Sequence, residues 1–134
     1  MQTLFYYSVG PLPLYYYALR TRDEWRGSEL LSARGVVDDD GKIFRVDGKS
    51  EADGFRFSGA EGEQLAPLDV SVPSTYWNNA LVRAEKLIDL QYGRLRNITM
   101  TEVGTESIEA EGNLVEAVRY EMRGELDLDI WYDM

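Results

Sequence analysis

Residues 114–133, LVEAVRYEMRGELDLDIWYD, read as two strands joined at a glycine. Before Gly124, the residues Leu114, Glu116, Val118, Tyr120 and Met122 share one face. After it, Leu126, Leu128, Ile130 and Tyr132 stand opposite Glu125, Asp127, Asp129 and Asp133. Alternation with period two puts one side of a strand against a core and the other in water. This stretch therefore predicts an antiparallel hairpin, and the same grammar extends through most of the chain.

Working outward, Leu95–Val103 and Ser107–Ala110 are strand-like around the Gly104 turn, and Gly112-Asn113 turns again into the hairpin. At the other end, Thr3–Val9 forms a short strand, and Pro11 and Pro13 separate it from the long run Leu14–Arg26. The odd positions of that run are Tyr15, Tyr17, Leu19, Thr21, Asp23 and Trp25, facing away from Arg20, Arg22 and Glu24. Gly27-Ser28 leads into Glu29–Val37, and Asp40-Gly41 supplies the pair that a tight hairpin turn with positive φ prefers. Lys42–Val46 returns, Phe55 and Phe57 share a face after Asp53-Gly54, and Gln64–Val72 is an extended stretch. Pro67 and Pro73 mark that stretch as an edge or a loop, because proline cannot donate to a sheet ladder. One segment departs from this pattern: Trp77, Ala80, Leu81, Ala84, Leu87 and Ile88 recur at helical spacing, which predicts an amphipathic helix over Tyr76–Ile88 capped by Ser74 or Thr75.

A chain of 134 residues with 44% hydrophobic and 28% charged residues has the composition of one folded domain, taken as residues 1–134. Its formal net charge of −10, with only three lysines (Lys42, Lys49, Lys86), repels phosphate backbones, so nucleic acid is not an expected partner. The chain contains no Cys and no His, which removes disulfides, thiolate and imidazole metal sites, and Ser-His or Cys nucleophile chemistry. The expectation is a protein with no metal and no cofactor. Gly10, Pro11 and Pro13 interrupt the apolar start before it becomes a signal peptide or a membrane span, so membrane insertion is not expected.

Chemistry would then rest on carboxylates, Tyr, Lys or Arg. The acidic run Asp38-Asp39-Asp40-Gly41 suggests a calcium loop, but with Gly41 at the glycine position the first ligand would be Val36 and the twelfth Asp47, so the run is a turn. The nine tyrosines suit either core packing or a cavity wall, since each ring has an apolar body and a polar tip. Two acids, Asp23 and Glu116, fall on faces that otherwise look buried, where a carboxylate must be paired or functional. They are the candidate catalytic residues, expected to share a polar spot flanked by Tyr17, Trp25 and Tyr120. Tyr15, Tyr17, Trp25, Tyr76, Trp77, Asn78 and Tyr120 are the candidate ligand-binding residues.

Several segments together, Asp23-Glu24-Trp25, Thr75-Tyr76-Trp77-Asn78, Tyr92-Gly93-Arg94-Leu95, Ala117-Val118-Arg119-Tyr120 and Trp131-Tyr132-Asp133, resemble a bacterial, often exported family of β-rich domains of unknown function. The resemblance covers nearly the whole chain. It implies a periplasmic or exported β domain and names no catalytic residue. Asp23 stands where that family usually shows Glu, and members tend to continue past the Trp-Tyr-Asp segment with a further hairpin.

The resulting fold expectation is mostly β: an antiparallel sheet of about eight strands rolled into a barrel or half-barrel, with one short amphipathic helix against an opening. Its leading functional reading is a binding module holding a small, mostly apolar molecule in an aromatic-lined barrel interior. One alternative is a small cofactor-free enzyme of cyclase or isomerase type using Asp23 or Glu116 as acid or base. The other is a structural or interaction module whose interior is filled by its own rings. Pairing with a second copy along the Leu126–Asp133 edge would give a homodimer, although Glu125, Asp127 and Asp129 oppose it by charge.

Overall fold

Turn chemistry organises the first half of the chain. In the computed structural model, which describes the backbone of residues 2–9 and 12–134 and the side chains from Tyr17 onward, six strands follow one another as antiparallel hairpins in chain order. They are β1 (Gln2–Val9), β2 (Leu12–Arg26), β3 (Glu29–Asp39), β4 (Lys42–Glu51), β5 (Gly54–Gly59) and β6 (Gly62–Ala66). The Asp-Gly turn between β3 and β4 is as expected, with Asp40 at φ 51° and Gly41 at φ 92°. Asp38 Oδ1 accepts from the Gly41 N–H at 2.8 Å, so the acidic run serves the turn.

A second sheet has the order β11-β10-β9-β8-β7, built from β7 (Ser71–Pro73), β8 (Lys86–Asp89), β9 (Arg94–Ala110), β10 (Asn113–Gly124) and β11 (Leu128–Asp133). The hairpin read first from the sequence is β10–β11, with Val118 opposite Tyr132 and Tyr120 opposite Ile130. Strands β7 and β8 pair in parallel, and the rest of the sheet is antiparallel. Pro73 lies in the edge strand β7, where its missing N–H costs no ladder bond. The chain is thus mostly antiparallel β, with eleven strands among the described residues. They form two sheets, and neither closes into a barrel. No helix among the described residues is long and apolar enough to cross a membrane.

The helix expected over Tyr76–Ile88 is replaced by one short 3-10 turn, Asn79–Arg83, followed directly by β8. The reason lies in how β8 is covered. Leu87 and Ile88 are both fully buried, but they enter different apolar clusters. Ile88 packs with Leu30, Val46, Phe55, Phe57 and Leu90, uniting both sheets, whereas Leu87 packs with Val72, Leu81, Ala84, Ile98 and Met122. A strand buried on both faces has consecutive apolar residues, and added to Leu81 and Ala84 of the 3-10 turn these imitate a helical stripe. The cap also differs. Asn78 Oδ1 accepts from the Ala80 N–H at 2.8 Å, while Ser74 Oγ accepts from the Leu90 N–H at 3.0 Å.

Irregularities decide which residues face inward. Trp25 pairs with Leu30 while Glu24 pairs with Ser32, so Leu31 is an extra residue in β3. This bulge lets both Leu30 and Ala33 be buried despite their odd separation. A second bulge places Val103 of β9 between the Gly104 and Glu102 pairings with Arg119 and Tyr120. Toward its tip the β9–β10 hairpin carries its side chains into water: Leu114 is 79% exposed and Glu116 is exposed.

The sheets meet most closely where side chains are absent. A Cβ on Gly35 of β3 would stand 2.0 Å from the carbonyl oxygen of Leu90, a backbone atom without freedom to retreat. Gly35→Ala is therefore expected to cost at least about 3 kcal/mol, the upper range for overpacking. Urea unfolding checks this, with Gly27→Ala as a control in which the new methyl meets nothing within 4 Å but a left-handed backbone (φ 59°) is strained.

Candidate functional site

From Tyr17 to Trp25 the odd residues of β2 face the core, as parity predicts, and this brings the half-buried Asp23 beneath the loop that follows β7. One of its oxygens, Oδ2, accepts three hydrogen bonds: from Trp25 Nε1 at 2.7 Å, from Trp77 Nε1 at 2.8 Å and from Thr75 Oγ1 at 3.0 Å. Bonds to a charged acceptor are stronger than neutral ones. None of the three donors is an arginine: among the described residues, Asp23 Oδ2 is held by two indoles and a hydroxyl. With both N–H groups directed at one atom, the rings radiate from it and meet edge to face, with centroids 6.1 Å apart at 85°.

The loop itself is held from three sides. Tyr76 has φ 63°, a left-handed conformation that is rare for a bulky residue and persists only where the surroundings impose it. Asp23 supplies the hold from the first sheet. From the second, the Tyr132 hydroxyl of β11 donates to the carbonyl of Tyr76 at 2.8 Å and of Asn78 at 3.3 Å. Asn78 completes the clamp by capping the 3-10 turn. Three segments remote in sequence, Asp23–Trp25, Thr75–Asn78 and Tyr132, are thereby brought together.

Beside this junction lies a cleft of about 1070 Å³ whose walls include Trp25, Leu30, Trp77, Asn79, Arg83 and Tyr132. Trp77 is 59% exposed on its margin, although it is fixed at its N–H. Of the ligand-binding candidates, Trp25, Trp77 and Asn78 border the cleft. Tyr76 is half-buried against the Leu87 cluster, and Tyr120 contacts the ring of Tyr132 at 6.1 Å without reaching the cleft. Tyr17 is buried beside Gln91 and Tyr92 and is not part of the cleft wall. The Tyr15 side chain lies outside the described residues.

The expected pairing of Asp23 with Glu116 does not occur. Glu116 is exposed on the projecting part of β10, where Ser107 Oγ donates to it, and the two acids share no partner. Simple parity along β10 misses this because Glu116, on the face of Val118 and Tyr120, lies where the hairpin has run past the residues that cover that face. Arg119 is occupied elsewhere: it meets Asp129 at 2.9 Å, Glu121 at 3.2 Å and Glu106 at 3.4 Å, and its guanidinium lies 5.7 Å from the Trp131 ring centre. The Trp131 N–H, joined by Arg119, holds the Glu106 carboxyl below its ordinary range.

Sequence reasoning also passed over Thr75 as a donor to Asp23, Tyr132 as the clamp, and Asp89. Tyr132 was legible, since it shares a face with Leu128 and Ile130. Asp89 was hidden inside the stretch read as helix. It is buried and accepts from Arg96 Nε at 2.7 Å and from the N–H groups of Gln91 and Tyr92 at 2.8 and 3.3 Å, fixing the turn before β9.

Two expectations follow. Asp23→Ala removes the acceptor shared by three donors and should cost about 1–3 kcal/mol, while acrylamide quenching of tryptophan emission rises as the Trp77 ring is released. Burial first, then Asp89 for Tyr76 and Tyr120 for Tyr132, pushes these hydroxyls up to about 12, and burial followed by Tyr92 does the same for Tyr17. From an ordinary value of 10.0, the folded chain keeps protons that the unfolded chain releases. Stability is thus intact below pH 10 and falls as the pH rises from there through about 12. Denaturant midpoints measured across that window should decline, with late tyrosinate absorbance.

No curated protein and no solved structure matches this chain. A family model described as a domain of unknown function (DUF6134) matches residues 2–134. The two sheets and the junction at Asp23 are therefore those of a chain that belongs to the DUF6134 family of domains of unknown function.

Proposed function

We propose that this protein is a binding module that holds a small molecule with an apolar face in the cleft beside Trp77. The supporting observation is the state of that ring. A tryptophan left 59% exposed forgoes roughly 1–2 kcal/mol of burial. It is nevertheless held in place by a charged hydrogen bond and by edge contact with Trp25. A rigid exposed ring loses little entropy when something lies against it, which is the economy of preorganised recognition. The site differs from the barrel interior expected at first: with no closed barrel, the space between the sheets is filled by residues such as Phe55, Phe57 and Leu90.

The reading as a small acid–base enzyme has less to rest on. Asp23 Oδ2 is engaged by three donors, which suits a pivot holding two rings, and Glu116 stands apart from it. Ligand-observed NMR with a library of flat and saturated ring compounds tests the binding reading. Hits should be lost in Trp77→Ala and kept in Trp131→Ala, whose ring lies under Arg119 instead. An absence of hits, or hits indifferent to Trp77, overturns it.

A further inference from the structure

The wall of the cleft argues for a narrower class of ligand. Both indole N–H groups at the junction are spent on Asp23, so what Trp77 offers a ligand is its π face and outer edge. Trp25 stands at 85° to it, giving a floor and a side wall. Around these rings the margin is polar: Glu29, Asp69, Asn79, Arg83 and Asp133 all border the cleft and all are exposed. An apolar ligand would leave those groups facing it without partners, at a cost for each polar group stripped of water. A ligand with one apolar face and a rim of hydroxyls satisfies both parts.

Sugar rings have that form. Their axial C–H groups make a flat, weakly positive face that suits the negative face of an aromatic ring, and their equatorial hydroxyls both donate to carboxylates and accept from amides and guanidinium. Charge narrows the class further. Glu29, Asp69 and Asp133 outnumber Arg83 along the wall, and the whole chain carries −10, so uronic or sulfated sugars would be repelled. At about 1070 Å³ the cleft lies just above the usual range for small-molecule pockets, with room for more than one ring.

We propose that the ligand is a neutral oligosaccharide, with one sugar ring lying face-on against Trp77 and its hydroxyls met by Asn79, Arg83 and the flanking acids. This inference rests on the binding reading above. The test uses the full chain labelled with ¹⁵N, in which Trp25, Trp77 and Trp131 each give an indole N–H signal. It is titrated with neutral hexasaccharides of β-1,4-glucose, β-1,4-N-acetylglucosamine and β-1,4-mannose, with hexagalacturonate, and separately with 1-naphthol as an apolar probe.

The expected result is saturable movement of the Trp77 and Trp25 signals with at least one neutral hexasaccharide. The Trp131 signal should stay in place, and hexagalacturonate should have no effect. Trp77→Ala should weaken that affinity by at least about tenfold, as loss of a central aromatic anchor does. Should that variant fail to fold, Arg83→Ala gives a second measure, weakening sugar binding without touching the junction. If 1-naphthol binds through Trp77 and no hexasaccharide does, the carbohydrate inference falls and the binding reading stands. If neither class of ligand moves the Trp77 signal, both fall. Sugar binding that moves Trp131 alone, or tighter binding of hexagalacturonate, overturns the placement or the charge argument.

Discussion

A single carboxylate oxygen, Asp23 Oδ2, carries the geometry on which the cleft depends. It gathers Trp25, Thr75 and Trp77 within 3.0 Å, and these residues come from a strand of one sheet and from the loop that enters the other. Charge is what makes this arrangement stable. A neutral acceptor would hold three donors weakly, whereas an ionised oxygen strengthens each bond and compensates for partial removal from water. An arginine here would have filled the space with its own planar group. With indoles as the donors, the same electrostatic attraction leaves two large rings standing outward at right angles.

The second sheet is the more deeply embedded of the two at its β7–β8 end. Strand β8 sends Ile88 to the cluster that joins the sheets and Leu87 to a cluster on its other side, and Trp25 packs against both. Trp25 therefore couples core packing to the junction: one edge of its ring is buried apolar surface, and its N–H faces Asp23. The opposite end of the same sheet behaves differently. Past the bulge near Val103, the β9–β10 hairpin runs on into water with Glu106, Glu109, Glu111 and Glu116 and no basic residue between Thr101 and Ala117.

Most of the β architecture was legible because period-two alternation and turn residues act locally. The β3–β4 turn at Asp40-Gly41 and the β10–β11 hairpin needed no tertiary information. What was not legible came from two sources. Residues buried on both sides of a strand lose their alternation, which is how β8 and the 3-10 turn came to read as one helix. Alternation also does not reveal where a core ends: Glu116 keeps the face of Val118 and Tyr120 yet lies where the β9–β10 hairpin has run past the core. Of the candidate site, Asp23, Trp25, Trp77 and Asn78 were found by face and residue type. Their true grouping was not, because it depends on a hydroxyl and two indoles converging from positions more than fifty residues apart.

The span of those bonds also bears on the order in which the molecule assembles. The strands of the first sheet meet their chain neighbours, so their loops close cheaply and early. The junction instead joins residues separated by 52 and 54 positions at Asp23 and by 56 at Tyr132, and it has nothing to grip until both sheets exist. Loop Thr75–Asn78, with its left-handed Tyr76, is thus placed among the last parts to settle and the first to loosen. Local opening would release it while the meander stays intact. The face offered by Trp77 would then be switched by a small subglobal equilibrium, separate from the stability of the strands beneath it.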